Sequence, residues 1–252
     1  MADDQEDKKR INVPEIVHSK WDGMLAPYNS IIAKLNSYPQ TASFGTRRGI
    51  VVDMNDFASR MQAVLFKLSW AAKSLEYMTE FYGKYTGSLE DSMRGMAASI
   101  PDTFIFNADA FFCFAYSALD IVGGIIDLLV ETGIEKRNVY FTTVVKYLAG
   151  RSPFTGPVFS ELKTKSDSGW INEFRQYRIF VTHHVITQLR SHFRYTAADR
   201  KTEINLFVLP DDPRKIPPTY EKKRELVPYC QEVLVKELDV MKVLFEFAEI
   251  LF

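Results

Sequence analysis

Cysteine is nearly absent: Cys113 and Cys230 are the only two in 252 residues. Two thiols do not make a disulfide framework, and Cys113, inside the run Phe111-Phe112-Cys113-Phe114, reads as a small core side chain. Net charge is nearly absent too, with 31 Lys plus Arg against 32 Asp plus Glu. That balance excludes a global basic field, so any contact with RNA or DNA needs a local patch. The polar stretch Met1 to Arg10 lacks an apolar signal segment. Residues 1–12 are therefore expected to be a disordered leader, and a reducing cytoplasm the compartment. Gly-rich phosphate loops, Cys-x-x-Cys and Gly-x-Ser-x-Gly are all missing. Glu15-Ile16-Val17-His18 has the Glu-x-x-His spacing of di-metal carboxylate bundles, but no second copy accompanies it. Neither a metal site nor a cofactor is expected.

What remains is an ordinary globular composition, 46% hydrophobic and 25% charged. Apolar residues recur at helical spacing through most of the chain. Helices are expected over 21–35, from 53 to a close at Gly83 and Gly87, over 88–99, 102–132, 135–149, 168–195 and 220–252. Asp53 or Asn55 and Asp102 are candidate caps, and Gly133 a terminator. The run Glu203-Ile204-Asn205-Leu206-Phe207-Val208-Leu209 breaks the pattern and reads as a strand or short hairpin. These elements predict an all-α, up-and-down bundle forming one domain over 13–252, with its core about 53–195 and a C-terminal helix over 220–252. A small extended excursion falls near 203–218. Residues 104–130 are long and apolar enough to span a bilayer, but Asp109, Asp120 and Asp127 interrupt them. The segment is expected as the central helix of a bundle with no membrane partner.

Histidine is scarce, and three of the four, His183, His184 and His192, fall in the stretch expected as one helix over 168–195. On that helix Trp170, Phe174, Tyr177, Val181, Val185 and Leu189 share a face, with Arg178 in the same sector. A cation on an apolar face needs a partner. Asp109, Tyr116, Asp120 and Asp127 form one stripe on the central helix, so Asp120 is the expected partner of Arg178. A buried Arg178–Asp120 pair that only fixes helix register accounts equally well for these residues. A small-molecule enzyme built on the acidic stripe is a third class. His184 and His192 read as packing or surface residues. Arg175, Arg190 and Arg194 are candidates for a local basic patch, whereas Lys222-Lys223-Arg224 reads as the solvated start of the last helix.

The segment Arg178-Ile179-Phe180-Val181-Thr182-His183, behind Trp170-Ile171-Asn172-Glu173-Phe174, resembles the Arg-x4-His signature of the HEPN superfamily. Phe112 to Asp120 resembles the helix facing that signature, and the likeness covers about 53–195. It implies a helical bundle that dimerises, with the two signature helices meeting across a cleft. Active members are metal-independent endoribonucleases of toxin or antiviral type, some paired with an antitoxin. Carried over, His183 is the general acid or base and Arg178 holds the scissile phosphate, with Asp120 inferred to orient Arg178. Ile179 stands where active members usually carry Asn, Asp or His. The alternative expectation is thus a non-catalytic interaction or ligand-sensing bundle in which Arg178–Asp120 is structural.

Overall fold

The computed structural model describes residues 13–37, 43–45, 51–91, 101–149, 157–167, 169–183, 189–196 and 201–251. Among them seven α-helices carry the fold: α1 (Val13–Asn36), α2 (Met54–Asp91), α3 (Asp102–Val130), α4 (Phe141–Ala149), α5 (Pro157–Asp167), α6 (Trp170–His183) and α7 (Leu226–Leu251). Five short strands join them: β1 (Ser43–Gly45) pairs with β2 (Val51–Asp53), and β3 (Arg190–Thr196), β4 (Lys201–Leu209) and β5 (Arg224–Glu225) form a second antiparallel sheet in that order. The chain is an all-α bundle with a small β excursion, as its periodicity predicts. The expected leader lies outside the described residues.

α2 and α3 form an antiparallel hairpin, since Tyr77 meets Thr103 and Trp70 meets Phe114 further along. Asp53 caps α2 as expected, its Oδ1 accepting the N–H of Asn55 at 2.8 Å and of Asp56 at 3.2 Å. The helix does not close at Gly83 and Gly87 but runs on to Asp91. One helical glycine costs only about 1 kcal/mol. Tertiary contacts hold this end of α2: Phe81 packs on Phe104 with ring centroids 5.1 Å apart, and the Tyr82 hydroxyl donates to Glu225 Oε2 at 3.0 Å. The first residues of the expected 88–99 helix belong to α2, and 92–100 lie outside the described residues.

α3 is the central helix, touching α2, α4, α6 and α7. It is long and apolar enough to cross a membrane, and 61% of its apolar window is buried inside the bundle. Asp102 is not its cap; Pro101 takes that position without a side-chain hydrogen bond. The helix ends at Glu131 (φ +46°) rather than at Gly133, with the Thr132 N–H donating to Asp127 Oδ1 at 3.3 Å. The helix expected over 135–149 is shorter, a 3-10 turn at Lys136–Asn138 followed by α4. The start of α4 lies directly on Gly123, where a Cβ would sit 2.5 Å from Phe141 N.

The largest departure concerns the expected 168–195 helix. It stops at His183, and Arg190–Thr196 is strand β3, paired with β4. Ser191, His192, Phe193, Tyr195 and Thr196 are poor helix formers, and β4 offers them a ladder of hydrogen bonds. The hairpin therefore begins before the expected excursion: β4 covers the expected 203–209 strand, and its partner β3 is drawn from what reads locally as helix. Its register shifts between Arg190 and His192, giving β4 one extra residue. At this bulge Phe207 takes φ +55° and buries its ring 4.4 Å from that of Phe104. A left-handed phenylalanine costs about 1–2 kcal/mol, offset here by a fully buried ring.

α7 closes the bundle, running parallel to α1. Lys20 Nζ lies 2.8 Å from Asp239 Oδ1, and Tyr28 packs on Phe245 at 5.6 Å. Pro228 sits in its first turn, where a missing N–H costs nothing. One apolar cluster extends from Met24 to Ala248.

Candidate functional site

α6 begins after Gly169, whose φ of +78° lets the chain turn out of α5. Trp170 Nε1 donates to Lys165 O at 2.9 Å, fixing that corner. From there Trp170, Ile171, Phe174 and Tyr177 bury one face against α3 and α7. Phe112 stacks on Tyr177 at 5.4 Å, and the Tyr177 hydroxyl donates to Pro210 O at 2.6 Å. Val181 is only half-buried, Leu189 precedes β3 instead of continuing the helix, and Val185 lies outside the described residues.

Beside that apolar face, α6 and α3 share a polar edge and run antiparallel along it. Arg178 is half-buried with its guanidinium carbon 5.6 Å from the centroid of the Tyr116 ring. Asp120 lies one helical turn beyond Tyr116, and Cys113 sits about one turn before it, opposite Thr182. The expected Arg178–Asp120 pair takes a looser form. Among the described residues no ion pair within 4.0 Å joins the two, and buried Asp120 Oδ1 has no hydrogen-bond partner. Burial raises the Asp120 carboxyl to about 6, opposed by the positive fields of Arg178 and Arg175. Burial also raises the Tyr116 phenol to about 12 and the Cys113 thiol above its ordinary value. Arg178 therefore lies over the Tyr116 ring and within the field of a carboxyl raised to about 6.

His183 is the last residue of α6, five positions past Arg178. That is roughly 140° around the helix axis from Arg178. His184 lies outside the described residues, and His192 is on β3, nine positions past His183. Arg190 and Arg194 are also on β3, so of the three arginines proposed for a patch only Arg175 is on the signature helix.

The acidic stripe divides by role. Asp120 faces Arg178, and the negative field of Asp109 reaches Cys113. Asp127 instead closes the C-terminus of α3, accepting hydrogen bonds from the Thr132 hydroxyl and N–H. Among the described residues no group of three His, Cys, Asp or Glu side chains has metal-holding geometry. Lys222-Lys223-Arg224 does not open the last helix. It precedes α7 and approaches Glu173, with Arg224 bonded to Glu173 and donating to the Tyr177 hydroxyl at 3.4 Å. Cys113 and Thr182 escaped the sequence reading. The available signal was that Cys113 lies four residues after Asp109 and seven before Asp120, on the same stripe. Comparison of the chain with family models, curated proteins and solved structures gives no match.

Proposed function

We propose that the α3–α6 edge is a phosphate-binding site for RNA in a HEPN-type helical protein, with Arg178 as the anchor. One observation carries this reading. Among the described residues, no hydrogen bond or ion pair engages the Arg178 guanidinium, which rests on the face of Tyr116. A guanidinium held in place by an aromatic face, with its donor fork uncommitted, suits a phosphate. In this reading the 2′-hydroxyl attacks the adjacent phosphorus, the O2′–P bond forms and the P–O5′ bond breaks. One His183 takes the 2′ proton or gives one to the leaving oxygen. A second copy of the chain supplies the other His183, and Arg178 neutralises the developing charge. Ile179 favours a second reading, RNA held without cleavage.

The test is purified protein with structured RNA in EDTA. Cleavage ends with His183→Ala, and Arg178→Ala weakens RNA binding about tenfold while moving the melting temperature little. RNA held but left intact supports the second reading. Binding unchanged in Arg178→Ala removes Arg178 from the site.

Asp120 adds a pH signature. A bound phosphate disfavours its ionised form, so binding tightens as pH falls through about 6, where Asp120 takes up a proton. The comparison is with Asp120→Asn. Affinity measured from pH 5 to pH 8 will be flatter in that variant; equal slopes in the two proteins would remove Asp120 from the edge.

A further inference from the structure

The α2–α3 hairpin leaves four aromatic side chains exposed, Phe66 at 58%, Trp70 at 42%, Tyr77 at 39% and Phe106 at 70%. Phe66, Trp70 and half-buried Phe114 run in contact, with centroids 5.9 Å and 6.0 Å apart. Exposed rings of this size are normally buried, and a contiguous row of them marks a binding surface. Two lysines rest on the row: Lys67 Nζ is 5.0 Å from the Phe114 centroid, and Lys73 Nζ is 5.1 Å from that of Trp70. From Phe66 to Lys73 the helix carries no carboxylate.

The row neighbours the Arg178 edge. Phe114 follows Cys113, and the Cys113 thiol lies in the positive fields of both Arg178 and Lys67. Rings and cations thus alternate from Trp70 through Phe114 to Arg178.

We propose that this face is a stacking platform for single-stranded RNA, extending the Arg178 site along the hairpin; the proposal rests on the RNA reading of that site. Bases stack on Trp70 and Phe66, because every base offers a π-face to an aromatic ring. Lys67 and Lys73 leave their rings to meet the phosphates. A solvent-exposed cation–π contact is weak and readily exchanged for a polyanion. Charge argues against a second copy of the chain as occupant, since a two-fold interface on this face sets the same positive patch against itself.

The experiment is a titration of fluorescein-labelled oligouridine with the intact chain, read by anisotropy. Trp70→Ala and Phe66→Ala each weaken binding about tenfold. Trp70→Phe restores most of the affinity, and Lys67→Gln and Lys73→Gln each lower the salt dependence. Thermal melts of the same variants identify any that fail to fold, in which case Trp70→Phe and the lysine variants decide. Wild-type affinity in all four loss variants overturns the platform; if Arg178→Ala still weakens binding, the Arg178 reading survives alone. Weakened binding in Trp70→Ala with none in Arg178→Ala keeps the platform and removes the anchor. No binding of oligouridine by the wild-type chain overturns both. Trp70→Ala that alters self-association in sedimentation without altering RNA affinity makes the face a contact between copies, which also overturns the proposal.

Discussion

Glu237→Met will raise the melting temperature at neutral pH. Glu237 lies in the middle of α7 with no solvent exposure, and neither carboxylate oxygen has a hydrogen-bond partner. Its helical neighbours Val233, Leu234, Val240 and Met241 are all buried and apolar. Burial pushes its carboxyl well above the ordinary glutamate range, so it is neutral in the native state. A neutral acid without a partner still costs about 1–3 kcal/mol. Methionine fills nearly the same volume with no polar atom. A gain of about 2 kcal/mol corresponds to roughly 4–8 °C in a chain of this size.

The pH dependence gives a second readout. The folded pKa lies above the unfolded value, so the stabilisation from the native-state proton is complete below the ordinary glutamate pKa. It is lost as pH rises toward the folded pKa, at about 1.4 kcal/mol per unit. Denaturation between pH 5 and pH 8 will show this decline in the wild type and not in Glu237→Gln. The Asp120 contribution has the same sign but ends near pH 6, and the difference between wild type and Glu237→Gln isolates the Glu237 part. Parallel curves would show that Glu237 reaches water.

Gly123→Ala will have the largest destabilising effect, while Gly124→Ala will be close to neutral. At Gly123 a Cβ would lie 2.5 Å from Phe141 N, 2.8 Å from Tyr140 C and 2.9 Å from Phe141 Cα. All three are backbone atoms, so α4 must move off α3 and its buried residues Phe141, Val144, Val145 and Leu148 lose packing. A loss of about 3 kcal/mol, or roughly 6–12 °C, is expected. At Gly124 the Cβ meets only a guanidinium nitrogen of Arg60, on a flexible side chain already paired with Asp56 at 2.8 Å. Arg60 can swing aside, and alanine gains about 1 kcal/mol of helix propensity over glycine. Similar melting shifts in the two variants would exclude backbone contact as the reason for Gly123.

The sequence carries the helices well wherever their periodicity is long and one-sided. α2, α3 and α7 all appear where Phe57, Met61, Val64 and Leu68, or Phe104, Ala108, Phe111 and Ala115, repeat. The failures come where a distant segment decides the outcome. Arg190–Thr196 becomes a strand because β4 is there to pair with it, and nothing within the segment itself announces that. Asp127 shares its stripe with Asp120, yet its position at the end of α3 commits it to Thr132. The stripe did bring Asp120 and Tyr116 to Arg178. It did not resolve that the guanidinium rests over the Tyr116 ring without an ion pair within 4.0 Å to Asp120, because helix angles give direction but not reach.

The parallel pairing of α1 with α7 has a consequence for how the chain is made. Lys20 bonds Asp239 and Ser30 bonds Glu249, each across 219 residues. At about 5–20 residues per second, α1 leaves the ribosome roughly ten to forty seconds before its partner exists. During that interval Met24 and Ile31, both fully buried in the finished bundle, have no α7 to cover them. α2 and α3 are consecutive in sequence and can pair meanwhile. Assembly thus starts at the hairpin although synthesis starts at α1, which leaves α1 open to a holding chaperone or to proteolysis until α7 is made.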